Sequence, residues 1–346
     1  FFGSRFVTSR FVTSRFVTSR FVTSRFVTSR FVTSSWLLAW WLTMTVSGSA
    51  QSVADYDRLA IGEHSVELNE FKLWYKVSGD GPVCLMPTPG WGQSSDLYFR
   101  TLQSMEKYFT VVYIDSRGTG RSGRAATLKH YTWEHLDSDL ESLREFLRQD
   151  RVWLMGHSAG GIQVLHYATR HPDRVSGLVL LSTQAVLNDQ TEQEVMQRMT
   201  SRANQPWYRE ASRAFQSHPR TDDEMASMFQ TTLPLYWRDH RNADAFRADF
   251  AAMSPSATAL AAVRESRRHR VDLRPLLKRL SAPVLIISGK DDFICCPASA
   301  QALHRGLPTS KLVLIDQCGH FPWMEQPQTF RSNLGRFIAS LKEPTR

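Results

Sequence analysis

The run Arg151-Val152-Trp153-Leu154-Met155-Gly156-His157-Ser158-Ala159-Gly160-Gly161 constrains this chain of 346 residues more than any other stretch. Val152 to Met155 are consecutively apolar and predict a buried strand, while Ile162, Leu165 and Ala168 fall at helical spacing and predict a helix over Ile162 to Thr169. A serine caught on a sharp turn between strand and helix is crowded. Glycines flanking it let the neighbouring backbone pack close while the hydroxyl projects outward. The helix that begins there points N–H groups and a partial positive charge at any anion formed beside the hydroxyl. Gly-x-Ser-x-Gly fixes only three positions and arises by chance in loops; the strand before it and the helix after it are what mark Ser158 as a nucleophile.

The same alternation runs through the body of the chain from Asp55 onward. Ser65 to Asn69 and Phe71 to Val77 predict an antiparallel pair. Val83 to Met86 and Val111 to Ile114 predict short buried strands, ended by Pro87-Thr88-Pro89-Gly90-Trp91-Gly92 and Asp115-Ser116-Arg117-Gly118-Thr119-Gly120-Arg121-Ser122. A helix is expected at Thr132 to Gln149, where Trp133, Leu136, Leu140, Leu143 and Leu147 share one face, and strands at Gly177 to Leu181, Val284 to Ser288 and Leu312 to Ile315. Strands alternating with helices predict an α/β fold, a mostly parallel sheet covered on both faces. From about 184 to 270 the alternation stops, and polar, helix-favouring sequence with scattered aromatics predicts a helical cap inserted over the site.

The formal charge of +9 invites a nucleic-acid reading, which its location argues against. Six arginines, from Arg5 to Arg30, lie in six copies of Ser-Arg-Phe-Val-Thr between Ser4 and Thr33, and without them 36 basic residues face 33 acidic ones. A five-residue period matches neither helix, strand nor any stacked-repeat architecture, so residues 1–33 are expected to be low-complexity and disordered. Residues 34–50 contain an apolar run, Trp36 to Val46, behind a basic region and before Ser47-Gly48-Ser49-Ala50, which predicts a signal peptide cleaved after Ala50. Its eleven residues are too few to span a bilayer, which takes about 20. A functional signal would send the protein to the periplasm or outside the cell; without one it stays in the cytoplasm. Cys84, Cys295, Cys296 and Cys318 are too few for a disulfide scaffold, though the last three fall near the expected site and leave one bridge open there. No Cys-x-x-Cys or His-rich cluster points to a metal.

In an open parallel sheet the loops at the carboxyl ends of strands converge on one crevice. Ser158, the adjacent Asp291 and Asp292, and His320 all follow such strands, in the chain order Ser, Asp, His. Together with Pro89-Gly90-Trp91-Gly92, Asp115 to Ser122, Gly156 to Gly161, His171-Pro172-Asp173-Arg174-Val175, Gly289 to Pro297 and Gly319-His320, this resembles the α/β-hydrolase family, most similarly its proline-iminopeptidase-like branch. The resemblance runs from about Ser65 to the C-terminus, and its motifs specify the fold more than the substrate.

The resemblance implies a cofactor-independent serine hydrolase with a triad of Ser158, Asp292 and His320. The family's Gly-x-x-Asp spacing from Gly289 lands on Asp292 rather than Asp291. Oxyanion donors are expected from the backbone N–H of Ala159 and of Trp91, although relatives commonly carry His-Gly-x where this chain has Pro89-Gly90-Trp91. Asp115 to Ser122 are expected to buttress that loop through Arg117, and His157 to be packing. A serine nucleophile argues against the dehalogenase and epoxide hydrolase chemistries of relatives that attack with aspartate. The implied substrate is a short peptide with an N-terminal proline or, alternatively, a small carboxylic ester; a non-catalytic ligand-binding protein on the same scaffold is the third possibility. An exopeptidase would need an acid in the cap for the free α-amine, and Glu192, Glu194, Glu210, Asp222 to Glu224 and Asp239 are candidates. No nucleic-acid partner or cofactor is implied.

Overall fold

The computed structural model describes residues 57–88, 92–125, 127–266 and 270–341. The repeat, the signal-like segment and Trp91 lie outside them. Eight strands, β1 (Gly62–Leu68), β2 (Phe71–Ser78), β3 (Val83–Pro87), β4 (Thr110–Asp115), β5 (Val152–His157), β6 (Val175–Leu181), β7 (Val284–Gly289) and β8 (Ser310–Ile315), form one sheet in the order β1-β2-β4-β3-β5-β6-β7-β8. The β1–β2 and β2–β4 pairs are antiparallel and the others parallel. Asn69 and Glu70 join β1 to β2 with positive φ at both residues, the hairpin geometry that follows the twist of its strands. Strand β1 alternates in burial, whereas every residue of β3, β5 and β7 is buried, as parallel strands covered on both faces must be.

Helices α1 (Asp96–Thr101), α2 (Trp133–Phe146) and α3 (Ala159–Arg170) follow β3, β4 and β5. Between β6 and β7 come α4 (Asp189–Thr200), α5 (Tyr208–Phe215), α6 (Asp222–Tyr236), α7 (Asn242–Ala245), α8 (Arg247–Ala251) and α9 (Ala257–Ser266). Helix α10 (Pro297–Gly306) connects β7 to β8, and α11 (Pro322–Glu325) and α12 (Pro327–Ser340) end the described chain. Asn188 and Thr221 cap α4 and α6 through side-chain oxygens that accept from the N–H of Thr191 (2.9 Å) and Glu224 (3.1 Å).

The sheet separates two apolar layers, and successive residues of β5 show why. Leu154 belongs to the layer with Leu140, Leu143, Ile162 and Leu303 of α2, α3 and α10, while Trp153 and Met155 belong to the layer with Leu97, Phe330 and Phe337 of α1 and α12. The apolar spacing of α3 predicted a one-sided helix, but Ala159 to Thr169 are all buried. Neighbours on all sides cover α3, a condition its own periodicity cannot report.

The motif after β4 does buttress the loop after β3, by a different residue than expected. Arg117 turns away to form a buried pair with Asp139 of α2, at 2.6 and 2.9 Å, and lies over the Phe71 ring. Asp115 and Arg121 do the holding. One carboxylate oxygen of the fully buried Asp115 accepts from the N–H (2.7 Å) and hydroxyl (2.6 Å) of Ser95, and the other from the N–H (2.8 Å) and guanidinium (2.9 Å) of Arg121. Gly120, at φ 50°, is required there because a Cβ would stand 2.1 Å from Asp115 Oδ2. Asp115→Ala strands these donors, and removing one partner of a buried ion pair costs about 3–5 kcal/mol. Urea unfolding should show a loss of that size; a loss below about 1 kcal/mol, the worth of a surface pair, would mean that the loop is held by something else.

Candidate active site

Ser158 lies at the junction of β5 and α3 with φ 56° and ψ −129°, a strained conformation for a residue with a side chain. Its surroundings hold it there. The Ser158 N–H donates to Leu181 O (3.1 Å), and its carbonyl accepts from Gly161 N (3.0 Å) and the Thr183 hydroxyl (2.6 Å). A Cβ on Gly156 would meet Gly161 Cα at 2.5 Å and Gly160 O at 2.6 Å, and one on Gly161 would meet Thr183 Oγ1 at 2.3 Å. Ala159, the first residue of α3, has its N–H in the turn that lacks intrahelical acceptors.

The structure brings Asp292 and His320 together. His320 Nδ1 donates to Asp292 Oδ2 at 2.8 Å, and Asp292 Oδ1 accepts from the N–H groups of Ile294 (2.9 Å) and Cys295 (3.0 Å). Both side chains are buried. A carboxylate only accepts, so the imidazole proton sits on Nδ1 and the Nε2 lone pair is free to take another. Asp291 instead pairs with Arg238 (3.2 Å), and Lys290 pairs with Asp316 at the surface (2.6 Å).

Three residues that the sequence did not single out as functional hold His320 and Asp292 in place. His157, expected to be packing, bonds through Nε2 to the carbonyl of His320 (3.0 Å) and through Nδ1 to the Tyr98 hydroxyl (3.2 Å). A carbonyl cannot donate, so Nε2 carries the proton and Nδ1 accepts; burial, aided by His320, keeps this imidazole well below its ordinary range and neutral. Arg202 donates to the carbonyls of Trp237 (3.2 Å) and Asp291 (2.9 Å) and also to that of Leu235, joining the end of α6 to the Asp292 loop. Glu325 of α11 accepts from the N–H groups of Gly319 (2.8 Å) and Phe321 (3.5 Å), on either side of His320, and from that of Arg238 (2.8 Å) after α6. The His320 N–H itself donates to Tyr236 O (2.8 Å) at the end of α6. Glu325's five-residue distance from His320 is a faint local signal; His157 and Arg202 had none, because their partners are backbone carbonyls far along the chain.

Ser158 and His320 line one cavity of about 110 Å³ with Leu97, Met228, Phe229, Leu233, Phe250 and Leu260 among its walls. Helices α5, α6, α8 and α9 supply much of that wall. Ligand atoms of Asp292, Cys295 and His320 lie within 4.8 Å of one another. Burial, reinforced by the Asp292 charge, pushes the Cys295 thiol well above its ordinary range, so at neutral pH it is not a thiolate nucleophile. All four cysteines are free and buried, so the bridge left open among Cys295, Cys296 and Cys318 is not formed. Among the described residues no helix is long and apolar enough to cross a membrane.

The family model described as alpha/beta hydrolase fold matches residues 85–327. A Pantoea ananatis protein with the provisional name carbamate hydrolase RutD is 28% identical over 264 residues, covering 75% of this chain and 90% of that protein. A pimeloyl-[acyl-carrier protein] methyl ester esterase of Nitrosomonas europaea is 26% identical over 261 residues, 74% of this chain and 96% of the esterase. Among solved structures, an alpha/beta fold family hydrolase from Bacillus anthracis superimposes with a TM-score of 0.67 at 18% identity, over 80% of this chain and 98% of that one.

Burial pushes the Glu325 carboxyl up from 4.5 to about 7 against the pull of its three N–H donors. A group raised on folding stabilises the fold fully below its unfolded value, and that contribution is lost as pH rises through the folded one. The melting temperature of Glu325→Gln, which stays neutral, should therefore depend less on pH between about 4.5 and 7 than that of the parent; equal slopes would place the raised titration elsewhere. Gly156→Ala, whose Cβ meets backbone rather than a movable side chain, should cost at least the 1–3 kcal/mol or so of ordinary overpacking in a urea titration, and an unchanged midpoint would contradict the close approach at the elbow.

Proposed function

This chain belongs to the alpha/beta hydrolase fold family, and from that premise we propose that it is a serine esterase working through an acyl-enzyme. The observation that carries this is the 2.8 Å bond from His320 Nδ1 to Asp292, made by a buried imidazole that shares a cavity with the hydroxyl of a strained Ser158. A neutral hydroxyl attacks poorly unless a base takes its proton during attack. His320 Nε2 is that base. Ser158 Oγ bonds to the ester carbonyl carbon, the carbonyl π pair moves to oxygen, and the proton passes to His320. The oxyanion is received by the Ala159 N–H at the start of α3 and by that of Trp91, each such donor being worth about 2.7–4 kcal/mol of barrier. Collapse expels the alcohol, protonated by His320, and water then repeats the cycle on the acyl-enzyme. Asp292 orients the imidazole and stabilises its cation.

The cavity favours an ester over a peptide with a free N-terminus. No carboxylate is among the described residues that line the cavity with Ser158, so an α-amine would meet apolar wall. Three of the acids that the sequence offered for that role are engaged elsewhere, Glu194 with Arg198, Asp222 with Arg124 and Asp239 with Arg241, and Glu192 lines the adjoining space rather than the cavity of Ser158. The named relatives are an esterase and a carbamate hydrolase, not iminopeptidases. Turnover of p-nitrophenyl butyrate with none of proline-β-naphthylamide is the expected result. Ser158→Ala should lose on the order of a million-fold in kcat, and a folded Ser158→Ala protein that still cleaves the ester would remove Ser158 from the mechanism. Absence of turnover with both substrates and with a wider ester panel would favour the non-catalytic alternative.

A further inference from the structure

The cavity that holds Ser158 and His320 is walled mainly by apolar side chains, yet Arg264 of α9 is among its lining residues. Arg264 also lines a second, wider space that shares Phe215 and Ile294 with the first, so this residue stands where the two meet. Five other arginines around the same helices are taken up: Arg198 by Glu194, Arg238 by Asp291, Arg247 by Asp244 and Arg270 by Asp189, with Arg202 on three carbonyls. Arg264 has no carboxylate or hydrogen-bond acceptor among the described residues, and burial alone draws its pKa below the ordinary value. It remains a cation, because an arginine side chain does not deprotonate in proteins. A half-buried cation without a partner is a cost to the fold, and an anion carried in by a ligand removes it.

We propose that Arg264 is a specificity residue that binds a carboxylate carried by the substrate away from the scissile bond, so that the substrates are esters bearing a remote carboxylate. This rests on the esterase function proposed above. The planar guanidinium offers two parallel N–H donors, which fit the two oxygens of a carboxylate, and its single charge balances one carboxylate rather than a doubly charged phosphate. The apolar wall between Arg264 and Ser158 takes the methylenes that separate the two functional groups.

The test compares mono-p-nitrophenyl adipate with p-nitrophenyl hexanoate, each corrected for its enzyme-free rate, in the parent and in Arg264→Gln and Arg264→Lys. The parent should prefer the charged ester in kcat/KM by about tenfold or more, the worth of one charge-assisted hydrogen bond. Arg264→Gln should lower that charged-to-neutral ratio by about tenfold, with Arg264→Lys in between. Raising NaCl from about 0.05 to 0.5 M should erode the ratio in the parent and leave it flat in Arg264→Gln. A parent ratio at or below one, or the same ratio in Arg264→Gln, overturns the proposal while leaving the esterase function standing. Failure to cleave even the neutral ester sinks the esterase function instead. Calorimetry then decides on Arg264 without turnover: adipamate should bind the parent more tightly than hexanamide does and about tenfold more tightly than it binds Arg264→Gln, whereas equal adipamate affinities would overturn the carboxylate site.

Discussion

A serine backbone held at φ 56° is the constraint to which the rest of the molecule answers. An L-residue leaves that conformation unless its neighbours make every alternative worse. Here the neighbours are the end of β6, which accepts the Ser158 N–H, Thr183, which binds its carbonyl, and two glycines whose missing side chains leave room for the turn. All of these belong to a sheet packed on both faces, so the apolar layers on either side hold the strain in place. The hydroxyl is thereby presented at the carboxyl end of β5, beside the loops that leave β7 and β8.

Those loops are long enough to wander, and buried polar groups stop them. Asp115 and Arg121 clamp the segment after β3, Arg202 fastens the Asp292 loop to the end of α6, and Glu325 gathers the backbone on both sides of His320. Each satisfies backbone donors or acceptors that would otherwise be buried without partners. His157 adds a contact of another kind, since a neutral imidazole can give one hydrogen bond to the His320 carbonyl and receive one from Tyr98. The result is an imidazole whose position is set from its own backbone, from Asp292 and from α6 together.

Substrate choice is decided by a different part of the chain. Helices α5, α6, α8 and α9 carry much of the cavity wall with apolar side chains, while nearby acids, Asp222 of α6, Glu194 of α4 and Asp239 after α6, pair with arginines away from it. A cavity of that composition suits an acyl chain better than a charged amine. The resemblance to iminopeptidases came from motifs that build the sheet and the elbow, which members of the fold with many substrates share. It carried no information about the wall.

The sequence by itself determined the elements that rest on local periodicity and on steric need. Strands β3 to β7 were legible because buried strands are unbroken apolar runs, and the half-buried β8 by its short apolar run Leu312 to Ile315; Ser158 follows one such run through Gly-x-Ser-x-Gly and His320 follows another through a glycine. Helix α11, of four residues, and the boundaries of α4 to α9 were not legible, since short helices that begin at proline or pack in irregular array leave little periodic trace. Only the tertiary structure decided that Arg121 rather than Arg117 supports the loop after β3, that His157 bonds to His320, and that Arg264, in the cavity wall, has no partner among the described residues. Those outcomes depend on which groups far apart in the chain come within about 3 Å of one another. Spacing along a sequence sets the face on which a side chain emerges; the distance between two faces is set by the packing of everything between them.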